Sequence, residues 1–300
     1  MEGVTEIIGM GWIPDLPDHR DYTPEHIKIK PMIKKLGFEK TSGLSLPSSV
    51  DLRPWCSKIE NQGSLGSCTA HAGVGLIEYY ERKAFGRHID ASRLFLYKVT
   101  RNLMGLAWDY GASMRTTLGA MVLFGVPPEK YWLYTDRRTP GIDGKRTFNE
   151  EPEAFHYSFA ENYKTIQYFR LDTNGMTPVD LLERIKAYLW GKLPSIFGFA
   201  VYNSINQAEN SGKIPFPCQG ESLLGGHGVV AVGYDDNLTI ENAYCDLKTQ
   251  GALLIRNSWG KEWGDAGYGW LPYDYVLKGL AKDWWSLLKM DYIDTNQFGS

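Results

Sequence analysis

Cys68 closes the run Asn61-Gln62-Gly63-Ser64-Leu65-Gly66-Ser67-Cys68, and an apolar helical pattern starts straight after it. A thiol at a helix N-terminus meets unpaired backbone N–H groups and the positive end of the helix dipole, which together favour the thiolate. Gly63 and Gly66 allow a loop tight enough for the Gln62 amide and Cys68 to converge on one point. A base and its orienter follow in order. His227 lies in Gly225-Gly226-His227-Gly228, 159 residues after Cys68 (227 − 68), and Asn257 lies in Arg256-Asn257-Ser258-Trp259-Gly260, 189 residues after it (257 − 68). An activated thiol, an imidazole that shuttles a proton and a donor for a developing oxyanion are the parts of acyl transfer through a thioester. Plainer readings exist for each: a core thiol, a strand-end histidine, a turn asparagine and a loop glutamine. Three ordered motifs in one chain outweigh them.

The Cys68 loop resembles the nucleophile loop of the papain-like cysteine peptidases. Gly225 to Tyr234 resembles their histidine strand, and Arg256 to Gly260 with Trp263-Gly264 to Gly269 their asparagine segment. The resemblance spans about residues 47–276 and implies Cys68 as nucleophile, His227 as general acid/base, Asn257 as orienter and Gln62 as oxyanion donor. Trp259 would shield the His227–Asn257 hydrogen bond from water. Tyr110-Gly111-Ala112-Ser113-Met114 would hold substrate backbone. Met114, Phe197, Gly198, Gly225 and Gly226 would wall an apolar pocket for the side chain two residues before the cut. The chain departs from the common pattern at Leu65, where a bridging cysteine is usual, at Thr69, often Trp, and at Gly226, where many members carry Asp or Asn. Leu65, Thr69 and the short N-terminal stretch point to a prokaryotic or viral style of member, Gly226 to a different pH profile, and separations longer than the roughly 130–150 residues common in the family to insertions. The implied activity is a cofactor-independent cysteine peptidase acting on peptides or proteins. An acyltransferase or deamidase with the same site, and a non-catalytic binding protein on the same scaffold, are the alternatives. His71, one turn after Cys68, is the rival base, but chain direction carries it away from the helix N-terminus.

Composition limits the partners. Net charge is −3 with no long run of one sign, so neither nucleic acid nor an anionic membrane is expected. No apolar stretch approaches a membrane span, and the acidic start Met1-Glu2-Gly3 lacks the layout of a secretory signal, which favours the cytoplasm. With Cys68 set aside, Cys56, Cys218 and Cys245 remain, an odd number that speaks against a full disulfide framework; the missing bridging cysteine at Leu65 fits a reducing compartment, while a Cys218–Cys245 bridge stays open. No CxxC spacing suggests zinc.

The elements that must position these residues form an α+β pattern. Helical spacing runs from Cys68 to Phe85, from Ser92 to Thr100 and from Met114 to Phe124, and Thr177-Pro178-Val179-Asp180 opens one more helix. Short β-prone runs follow at Ser195–Val201, His227–Tyr234, Ala252–Asn257 and Tyr268–Leu271. Residues 135–152 read as a polar surface loop. The expected architecture is two-lobed: a helical lobe over about 47–150, an antiparallel β-barrel-like lobe over about 151–300, and the active-site cleft between them. Residues 277–300, with Trp284-Trp285, are expected on the surface. Residues 1–46 stand apart as a proline-punctuated extension, either a surface tail or a pro-segment that caps the cleft and restrains activity.

Overall fold

The computed structural model describes residues 10–35, 37, 43, 45–140, 145–290 and 293–294. Helices α1 (Lys30–Lys35), α2 (Cys68–Phe85), α3 (Arg93–Leu103), α4 (Met114–Leu123) and α5 (Ala154–Ala160) precede α6 (Pro178–Trp190) and α7 (Asp274–Leu277). Strands β1 (Ser49–Asp51), β2 (Thr165–Arg170), β3 (Ser195–Tyr202), β4 (Leu223–Asn242), β5 (Leu247–Arg256), β6 (Tyr268–Pro272), β7 (Ala281–Met290) and β8 (Ile293–Asp294) form one antiparallel sheet. The α+β class holds.

Local chemistry sets the helix ends. Ser92 Oγ accepts from Phe95 N (3.2 Å) ahead of α3, and Thr177 Oγ1 accepts from Asp180 N (3.1 Å) with Pro178 in the first turn of α6; each satisfies an amide the first turn cannot. Gly86 ends α2 in the left-handed conformation, φ 68°, returning its N–H to Arg82 O. Helix α2 is buried on nearly every side, as a helix must be that packs on α3 and α4 with one face and on β3 and β4 with another. The helix whose first residue is the thiol is therefore the axle of the molecule.

The sheet is open. Its path runs β2-β7-β3-β4-β5-β6, with β1 added on β4 and β8 on β7, so the barrel-like lobe expected from the resemblance is a sheet whose end strands do not pair. β7 corrects a second expectation. Residues 281–288 are not surface tail: β7 lies between β2 and β3, and Trp284 and Trp285 are fully buried. Cys218 and Cys245 are joined in a disulfide, while Cys56 and Cys68 are free. Disulfides persist in oxidising surroundings, so the cysteines give no support to a reducing compartment. Among the described residues no helix is long and apolar enough to cross a membrane.

The extension divides in two. Ile29 and Ile33, on and just before α1, belong to the main hydrophobic core. Residues 10–13 instead run through the cleft, so a surface tail does not describe them.

Candidate active site

Four elements converge. α2 delivers Cys68 from its first position, β4 delivers His227, the residue after β5 is Asn257, and the loop before α2 carries Gln62. All four side chains are buried. His227 Nε2 lies 2.7 Å from Asn257 Oδ1, and the Trp259 ring stacks on the imidazole at 4.4 Å between centroids. Asn257 Oδ1 also accepts from Ser258 N (2.8 Å). Ser258 Oγ donates to Gln62 Oε1 (2.6 Å), Gln62 N donates to Ser258 O (2.8 Å), and Gln62 Nε2 donates to Leu65 O (2.7 Å). The oxyanion candidate and the orienter are thus held through one serine, which the sequence reading did not single out. Cys68 Sγ rests against Gly228, next to His227: a Cβ on that glycine would sit 3.4 Å from the sulfur.

His71 stays out of this group. It is buried, Nδ1 lies 3.1 Å from Ser67 O, and burial drives its pKa down to about 3, so it is a neutral core imidazole.

The extension lies directly over the thiol. Trp12 forms a parallel bridge with Ala112: Ile13 N donates to Ala112 O (2.9 Å) and Ala112 N to Gly11 O (2.7 Å). On the opposite wall Trp12 N donates to Gly226 O (3.0 Å). The segment thus uses the Gly111-Ala112 and Gly226 backbone assigned above to substrate. Glycine makes this fit possible. A Cβ on Gly11 would lie 1.9 Å from Gly66 O, one on Gly226 2.6 Å from Trp12 O, and one on Gly198 2.0 Å from the indole ring. The slot filled by Trp12 has Gly198 as a wall rather than Phe197. Side chains alternate along β3, and Phe197 stacks on Trp284 at 3.8 Å from the other face. Met114 sits beside Cys68, its Cε 2.6 Å from where a Cβ on Gly228 would be. Nor is the pocket purely apolar, since Asp283 Oδ2 accepts from Trp12 Nε1 (3.1 Å) at its buried end.

Covering the thiol reverses its electrostatics. Burial pushes the Cys68 thiol up to about 11, against hydrogen bonds from the amides of Gly228, Gly11, Thr69 and Cys68 itself that favour the thiolate. Burial likewise takes His227 down to about 4, against the Asn257 hydrogen bond. Burial thus opposes the thiolate that the helix terminus favours, and Gly11 of the extension is among the residues packed against the sulfur. The sulfur faces the Gly11 N–H, a donor and not an electrophile.

A ring of charge holds the segment at its other end. Asp15 Oδ2 accepts from Trp285 Nε1 (3.0 Å), and Asp15 N donates to Asp283 (2.8 Å). Asp21 accepts from Arg115 Nε (2.7 Å), and Arg170 reaches Asp172 (3.0 Å) and Asp283 (2.8 Å). Asp283 and Asp15 were not read as site residues; only the fold brings 15, 115, 170 and 283 together.

Comparison with known proteins agrees with this geometry. Residues 46–282 match the model of the papain family cysteine proteases. An uncharacterised peptidase C1-like protein of Acanthamoeba polyphaga mimivirus is 32% identical over 305 residues, covering 96% of this chain and 89% of that protein. The thiol protease aleurain of Arabidopsis thaliana is 23% identical over 249 residues, 82% of this chain but 61% of its own length. The solved structure of xylellain, a cysteine protease from Xylella fastidiosa, superposes with a TM-score of 0.74 at 32% identity, covering 94% of this chain and 96% of that one. With a thiol at a helix N-terminus, an imidazole bound to an asparagine, and this family match over most of its length, the chain belongs to the papain family of cysteine proteases and is a cysteine peptidase.

Proposed function

We propose that the protein hydrolyses peptide bonds through a Cys68 thioester and that its own residues 10–13 hold it closed until they leave the cleft. The observation that carries the catalytic reading is the 2.7 Å contact between His227 Nε2 and Asn257 Oδ1 beside a thiol at the start of α2. That contact commits one ring nitrogen and leaves Nδ1 to exchange a proton with sulfur. In the open enzyme water returns, and thiolate and imidazolium stabilise each other. Sulfur attacks the carbonyl carbon, and the oxyanion takes hydrogen bonds from the Cys68 amide and from a Gln62 side-chain N–H, an amide nitrogen having two. The C–N bond breaks as His227 gives its proton to the leaving amine. Water, deprotonated by His227, then cleaves the thioester and restores the thiol.

The restraint reading is supported by the backbone hydrogen bonds of Gly11, Trp12 and Ile13 across both walls. Residues 22–35 belong to the folded domain through Ile29 and Ile33, so the inhibitor is tethered and re-docks at high effective concentration. Alkylation by a thiol-directed epoxide and turnover of a peptide amide test the catalytic reading. Both are expected in wild type, neither in Cys68→Ala, and both strongly reduced in His227→Ala. Product analysis with added amine separates hydrolysis from acyl transfer.

A further inference from the structure

Asp283 has the least ordinary backbone in the cleft. Its φ of 58° lies in the left-handed region, uncommon for a residue with a Cβ. Pairing between β3 and β7 shows why. From Ile196↔Trp285 to Gly198↔Lys282, β7 uses one residue more than β3, which is a bulge. The bulge frees the N–H groups of Asp283 and Trp284, and the Asp172 carboxylate accepts both, at 2.9 and 3.0 Å. Its effect is to aim the Asp283 carboxylate into the slot. There Oδ1 accepts from Arg170 (2.8 Å), while Oδ2 accepts from the Trp12 indole (3.1 Å) and from Asp15 N (2.8 Å).

When the segment leaves, Oδ2 loses both of those donors and Oδ1 keeps Arg170. A substrate side chain that fills the slot buries this acceptor again and must supply it with an N–H. The walls at Gly198 and Gly226, where a Cβ would come within 2.0 and 2.8 Å of the indole, admit a flat ring. A lysine or arginine side chain would also donate, but Arg170 and Arg115, which lose Asp15 with the segment, already balance Asp283 and Asp172. A neutral donor meets the acceptor without adding a cation. We propose that the open enzyme selects tryptophan at the second position before the cut, with Asp283 as the specificity-determining residue and Trp12 as the built-in occupant of that slot. The inference rests on the peptidase reading above.

The test uses the full chain as wild type, Asp283→Asn and Asp283→Ala, with peptide amides that differ only at that position. In wild type kcat/KM is expected to favour Trp over Phe, Leu and Arg by about 10–100-fold, and the Trp:Phe ratio is expected to fall to about 3 or less in Asp283→Ala. A wild type that prefers Phe, Leu or Arg overturns the proposal, as does a ratio that both substitutions leave unchanged. A second measurement needs no turnover: iodoacetamide alkylation of Cys68 in Trp12→Phe, made in wild-type and Asp283→Ala backgrounds. An acceleration of about tenfold in the first background and near none in the second is expected if Asp283 reads the indole N–H; equal accelerations overturn it. Should no peptide be cut while this coupling appears, the peptidase reading fails and recognition of the indole stands. Peptides cut without Trp preference sink the slot proposal alone.

Discussion

Gly11→Ala adds one methyl group to a residue outside the catalytic set, and it should open the enzyme. The new Cβ would lie 1.9 Å from Gly66 O, 2.3 Å from its carbonyl carbon and 2.5 Å from its Cα. That backbone cannot yield cheaply, because Gly66 N is bonded to Asp109 Oδ1 (2.9 Å) and the buried Cys68 follows two residues later. The segment must lift instead. Lifting breaks the Ala112 N–Gly11 O bond (2.7 Å) and its neighbour from Trp12 N to Gly226 O (3.0 Å), each worth about 0.5–1.5 kcal/mol. It also withdraws part of an indole whose complete loss would cost about 3–5 kcal/mol. A loss near 3 kcal/mol shifts the open fraction by about 100-fold, at 1.4 kcal/mol per tenfold. The second-order rate of Cys68 alkylation at pH 7, followed by intact mass, should rise by that factor toward the rate of a chain beginning at Tyr22. A rate within about threefold of wild type, with an unchanged melting temperature, would refute the idea that this segment gates the thiol.

Four further outcomes follow from the same geometry. Burial and the nearby Asp283 carboxylate raise Asp15 from 3.8 to about 6 against Arg115, Trp285 and Ser113. The docked state therefore binds this proton more tightly, and docking is strongest below about pH 4 and weakens as pH rises to about 6. The open fraction should grow by one to two orders of magnitude over that window, a component of the alkylation profile that Asp15→Asn should remove. A chain beginning at Tyr22 should be open and stably folded, whereas one beginning at Leu46 also loses Ile29 and Ile33 from the core; at about 2–5 kcal/mol for each large core truncation, its melting temperature should drop sharply. Gln62→Ala should lower kcat by about 100- to 1000-fold, the cost of one oxyanion donor, with KM little changed. Gly198→Ala should both speed alkylation by displacing the indole and lower kcat/KM for peptides with an aromatic residue in the slot.

Much of the site was legible because its logic is local. The glycines before Cys68, the caps at Ser92 and Thr177, and the apolar runs after Gly226 each state their structure within a few residues. β7 was hidden because the bulge at Asp283 breaks the period-2 alternation that identifies a strand, and a lysine and an aspartate ahead of two tryptophans look like a surface segment. The burial of Cys68 was hidden for a different reason: a helix N-terminus is visible in sequence, but the packing of a segment 56 residues upstream (68 − 12) is not. The slot at Gly198 and Asp283 lies between strands far apart in the chain, which periodicity cannot pair.

Gly226 ties two properties together that other proteases can tune separately. A side chain there would strike the Trp12 carbonyl, so an acidic residue beside this histidine would place a charge next to the imidazole and displace the segment proposed above to restrain the thiol. On that proposal, any lineage carrying the segment must keep a bare backbone next to His227. Drift at that codon would then release the thiol.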